Sequence, residues 1–266
     1  MTGFTDDRDD RLPTQDGESR DAPTGRTGVA ALAVLPATAL FLLPLILYAA
    51  LSVVFTVLAV DEDGGLSGLP VSLLLTLIAQ PFLFVGLVYL IANRVWGFSW
   101  SDFGLRPLSR RWLWRIPLIW IGCLPVIALL KVLTDPLLGT EEADPYGPLI
   151  EAVAPSDPLL IVAIVAFGGL VIPFSEEFLF RGFAYGWLRA RVGRVVAIGI
   201  SAILFSLVHL QAAVLVPILF LGVLLAVLRE WTGSVWASVY LHALHNSMMF
   251  LFVTVLFALG EKIPGV

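Results

Sequence analysis

The chain has 266 residues, 58% of them hydrophobic and 14% charged, with a mean hydropathy of +0.91, a balance that excludes a water-soluble globule. A net charge of -5 with no basic stripe excludes a nucleic-acid partner. One cysteine, Cys123, inside an apolar run, excludes an internal disulfide or a thiolate metal cluster.

What remains is an all-α, polytopic transmembrane helix bundle with membrane lipids as its surroundings. Residues 1–27 carry seven acids, four arginines, Pro13 and Pro23. They bury too little apolar surface to fold alone and read as a disordered cytoplasmic tail. From Gly28 to Val60 the apolar run is too long for the hydrophobic region of a signal peptide and reads as the first span. Six more follow at about 68–93, 113–133, 159–187, 195–212, 214–229 and 234–259, on the rule that about 20 apolar residues cross the hydrocarbon. The transmembrane domain is thus 28–266, with seven spans and eight as the alternative count. Within 195–229 only Gln211 and Pro217 break the run, which allows a tight hairpin or a re-entrant piece.

Loop charge gives an orientation. Arg94, Arg106, Arg110, Arg111 and Arg115 follow the second span, and Arg189, Arg191 and Arg194 follow the fourth. Both loops belong inside by the positive-inside rule. Alternate loops are acidic, with Asp61, Glu62 and Asp63 in one and Asp135, Glu141, Glu142, Asp144, Glu151 and Asp157 in the other. The expectation is a multi-pass plasma-membrane protein with its N-terminus cytoplasmic and its C-terminus outside. Arginine outnumbers lysine, a bias that fits a bacterial source.

An ionisable side chain within a span costs a few kcal/mol on insertion scales, so it faces the bundle interior with a partner or lines a watery cavity. The last four spans hold Glu176, Glu177, Arg181, His209, His242, His245 and Asn246. Glu177 and Arg181, four residues apart on a helix, face each other and read first as an internal salt bridge. Glu176 lies about 100° further round and needs another partner or a task. His209 follows Phe205 by one turn, and Asn246 follows His242 by one turn. For His245 the reading is interhelical hydrogen bonding.

A carboxylate and an imidazole converging on one water can take its proton and make a nucleophile. A second imidazole and a carboxamide can stabilise the oxyanion that forms when that nucleophile attacks a carbonyl. The set therefore fits amide hydrolysis without a metal. The alternative is zinc held by Glu176, His209 and His242, with water in the fourth position, although no HExxH pair is present.

The ordered set "EEFLFR" at 176–181, "FSLVH" at 205–209 and "HALHN" at 242–246 resembles the CPBP family, the CAAX prenyl proteases and bacteriocin-processing enzymes also called the Abi family. The resemblance covers about 159–250, with "FGLRP" at 103–107 as a weaker upstream signature. It implies an intramembrane endopeptidase acting on a membrane-associated peptide or protein. By position, Glu176 resembles the catalytic glutamate, His209 its helper, His242 and Asn246 the oxyanion-binding pair, and Glu177 and Arg181 their support. Prenyl-processing members are described with eight helices, and a bacterial chain has no prenylated CAAX protein to process. Two rival classes use the same residues: a peptide-binding or bacteriocin self-immunity protein, and a proton-coupled transporter. An amide cannot relay protons by titration, so Asn246 favours hydrolysis over transport.

Overall fold

The computed structural model describes residues 28–60, 68–140, 162–163 and 165–258, the side chains of 253–258 excepted. The expected tail and most of the two acidic loops lie outside the described residues. Within them the chain forms seven long helices and no strand. These are α1 (Val34–Leu58), α2 (Leu69–Trp96), α3 (Trp112–Leu138), α4 (167–192), α5 (Arg194–Leu207), α6 (Leu215–Thr232) and α7 (Val235–Ala258). They coincide with the seven expected spans to within a few residues, except at the start of α1 and the ends of α3, α4 and α5; the expected start of the fourth span lies outside the described residues. Four stretches, Val34–Leu58, Leu69–Trp96, Trp112–Leu138 and Ala212–Thr232, are long and apolar enough to cross a membrane. At 1.5 Å per residue even the shortest is about as long as the hydrocarbon is thick.

Apolar side chains cover the outside of these helices. Leu35, Val57, Leu137 and Val195 are 81%, 64%, 82% and 76% exposed. In water that surface would drive aggregation; in lipid it is solvated. Association of the helices then rests on packing and polar contacts, because lipid tails are as apolar as leucine. Close approach of backbones serves that packing. At Gly222 of α6 a Cβ would lie 3.2 Å from the Ala202 Cα of α5, so the glycine sets the contact distance.

The helix ends correct two boundaries. α3 continues past 133 to Leu138, taking Asp135 out of the expected loop. There Lys131 Nζ donates to both carboxylate oxygens of Asp135 at 2.9 and 3.1 Å, and Thr140 donates to one at 3.0 Å, so the acid is neutralised on the helix. α5 stops at Leu207, five residues short of 212. The chain then turns through 208–211, with Leu210 at φ +54°, while the Ser206 hydroxyl donates to the Leu215 carbonyl at 2.6 Å. Local hydrogen bonding makes this turn without glycine or proline. Pro217 falls instead in the first turn of α6, where its missing N–H costs nothing.

α4 is the central helix. Its segment Phe178–Ala184 is buried at every residue and packs against α1, α2, α5, α6, α7 and the short turn Trp100–Phe103. Phe178 stacks on Phe103 with ring centroids 4.6 Å apart, and Phe180 meets Phe41 and Phe205 edge-on at 5.6 and 5.2 Å. π-helical turns occupy Phe167–Val171 and Phe178–Ala184, on either side of one α-helical stretch, Ile172–Glu177. A third, Phe82–Leu87, interrupts α2 just after Pro81, the residue whose missing N–H breaks the regular ladder. Single-turn π segments of this kind concentrate at functional sites.

Candidate active site

Glu176 and Glu177 end the α-helical stretch of α4, and consecutive positions send their carboxylates different ways. Glu177 points into the protein and is fully buried. Its Oε1 accepts Arg181 Nη1 at 2.9 Å and His242 Nδ1 at 3.0 Å. Arg181, also fully buried, donates through Nη2 to the Gly222 carbonyl at 3.0 Å and lies 4.1 Å from the Phe205 ring centroid. One carboxylate thus joins α4 to α7, and its cationic partner joins α4 to α6 and α5. Burying these charges is costly, and the geometry offsets part of the cost with three hydrogen bonds and an aromatic face.

Glu176 is only partly buried, with 14% of its side chain exposed. Its Oε1 accepts a hydrogen bond from Gln80 Nε2 of α2 at 2.9 Å. Its Oε2 lies 3.8 Å from His242 Nε2, too far for a direct hydrogen bond and suited to one bridging oxygen. His242 is therefore held on both sides: Nδ1 donates to Glu177 and Nε2 faces Glu176. Its ring also meets Phe205 edge-on at 5.6 Å.

His209 sits beyond α5, in the turn, with its Nδ1 2.7 Å from the Phe205 carbonyl. A carbonyl only accepts, so Nδ1 carries the proton and Nε2 offers a lone pair when the ring is neutral. The Phe205 ring stands between the two histidines, 4.9 Å from His209 and 5.6 Å from His242. Asn246, one turn beyond His242 on α7, donates through Nδ2 to the Gly168 carbonyl at 3.2 Å. Ser247 does the same to Gly169 at the same distance. Both acceptors belong to the π turn Phe167–Val171, whose altered ladder presents carbonyls to side chains of α7. The second N–H of Asn246 is not committed to that bond.

Glu176, Glu177, Arg181 and His242 are thus brought into one contact network. His209 joins it through Phe205, and Asn246 stands at its far end on α7. Two partners were missed from sequence. Gln80 was hidden in an apolar span, where a lone amide followed by Pro81 was the available signal. Trp120 of α3 donates to His245 Nδ1 at 3.3 Å, the interhelical bond expected of that histidine with its partner now known. The bonds at Nδ1 leave Nε2 of both histidines open, the nitrogen a metal-ligating histidine would use when its other nitrogen is held by a carboxylate or carbonyl. Among the described residues no three His, Cys, Asp or Glu side chains gather as metal ligands.

Residues 158–248 match the family model described as Type II CAAX prenyl endopeptidase Rce1-like. No curated protein and no solved structure gives a significant match. The matched segment runs from just before α4 into α7 and holds every residue of the three motifs. The chain therefore carries an Rce1-like domain, consistent with the CPBP family, within a multi-pass helical membrane protein.

Proposed function

We propose that the protein is an intramembrane endopeptidase that hydrolyses a membrane-associated peptide or protein with a water activated by Glu176. The observation that carries this reading is the placement of Glu176: Gln80 holds one oxygen, and the other faces His242 Nε2 across 3.8 Å. A water bridging that gap would give its proton to Glu176, and the hydroxide would add to the scissile carbonyl carbon. His209 offers a lone pair through Nε2 and assists in removing the proton. The carbonyl oxygen becomes an oxyanion, stabilised by a proton on His242 Nε2 and by the free N–H of Asn246. Collapse breaks the C–N bond, and the proton held by Glu176 passes to the leaving amine. Glu177 and Arg181 hold the His242 ring in place and take no proton.

The same reading assigns the enzyme to the plasma membrane, with the arginine-rich loops in the cytoplasm, and takes a metal-free mechanism. The test compares purified wild type with Glu176→Gln on internally quenched peptides, including one with a farnesyl cysteine followed by three residues, with and without a zinc chelator. Cleavage that survives chelation and disappears in the variant is the expected result. Full activity of Glu176→Gln would refute the role of Glu176, and loss under chelation would favour the zinc set Glu176, His209 and His242.

A further inference from the structure

We infer that Gln80 is a positioning residue of the site, supplied by α2 from outside the 158–248 match, and that its amide selects which oxygen of Glu176 acts as the base. The inference rests on the proposed role of Glu176. A carboxylate has two oxygens of equal intrinsic basicity, and rotation about its last bond exchanges them. The Gln80 donor removes that equivalence by engaging Oε1 at 2.9 Å. Oε2 is left as the oxygen that faces His242 Nε2.

Burial makes Gln80 effective. It is 4% exposed, on a stretch of α2 that packs against Ile172–Glu177 of α4. Pro81 and the π turn Phe82–Leu87 follow it at once, so this level of α2 is where the helix departs from a regular ladder. A buried amide in an apolar span costs about 1–3 kcal/mol if left unpaired, so holding Glu176 also satisfies Gln80 itself. Within a transmembrane bundle such a bond fixes rotation about the helix axis as well as distance.

The experiment uses the full-length protein in detergent with the same quenched peptides. Gln80→Met keeps the side-chain length and loses the donor; Gln80→Glu keeps the shape and turns an oxygen toward Glu176. Both are expected to lower kcat by roughly 10- to 100-fold with KM little changed, the worth of one donor to a charged group. In the Glu176→Gln background neither should lower any residual rate further, because an amide has no basic oxygen for Gln80 to select. A second readout needs no substrate: the infrared carboxylate band, isolated as wild type minus Glu176→Gln, should shift in Gln80→Met. An unshifted band together with wild-type kcat in either folded variant would overturn the inference. If Glu176→Gln keeps full activity while the band still shifts, the hydrogen bond stands and the catalytic reading fails, so the two are told apart.

Discussion

Arg181 meets three kinds of partner at once: the Glu177 carboxylate, the Gly222 carbonyl and the face of Phe205. Removing it leaves Glu177 as a buried charge with only His242 beside it. Arg181→Ala is therefore expected to cost about 3–5 kcal/mol, read as a drop in thermal unfolding temperature in detergent. Arg181→Lys should not restore stability, since a single ammonium cannot reproduce the fork that reaches Glu177 and Gly222 together. Asn246→Ala should lower turnover by roughly 10²- to 10³-fold, the usual worth of one oxyanion donor, and should also loosen α7 from Gly168. An unchanged kcat would leave Asn246 only its bond to the π turn. At this scale the sequence was readable where partners lie within one turn. The Glu177–Arg181 pair follows from i, i+4 spacing. Glu176 was expected to need another partner or a task, and Gln80 is that partner. The pairing was invisible because the two residues are 96 positions apart.

The helices themselves were legible from hydropathy, which depends on composition over a window and tolerates local exceptions. Their ends were not. α5 stops at Leu207 because Ser206 and His209 turn to neighbouring carbonyls, and no glycine or proline announces it. Nor does sequence periodicity announce π turns, since one wide turn shifts the pattern by less than a residue type can report. The contact of α5 with α6 offers a test at this scale. Gly222→Leu would push a side chain into Ala202 and carry the Gly222 carbonyl away from Arg181. An expected loss of about 1–3 kcal/mol from overpacking should appear as a lower unfolding temperature. Because the carbonyl moves too, the same variant should lose turnover through Arg181, Glu177 and His242. A Gly222→Leu protein with wild-type turnover would show that this chain of contacts does not reach the reaction.

For the whole molecule, the orientation proposed from the arginine-marked loops can be checked by labelling. In a Cys123→Ser background, a cysteine at exposed Arg110 should react with a membrane-impermeant maleimide only after cells are opened. One at Leu137, 82% exposed at the far end of α3, should react in intact cells. The reverse pattern would invert the topology. The helix bundle of the described residues was readable in outline because lipid exposure leaves a long apolar signature on each helix. How the first three helices complete the site was not, since their contribution comes down to single polar groups. The Gln80–Glu176 hydrogen bond then bears on inheritance. If Gln80 positions Glu176, segment 158–248 is expected to depend on the α2 it is joined to. A recombinant that joins it to an α2 without this glutamine keeps all three motifs and loses the donor. Glu176 and Gln80 are then expected to travel together, with substitutions at this level of α2 tied to compensating changes at the carboxylate they face.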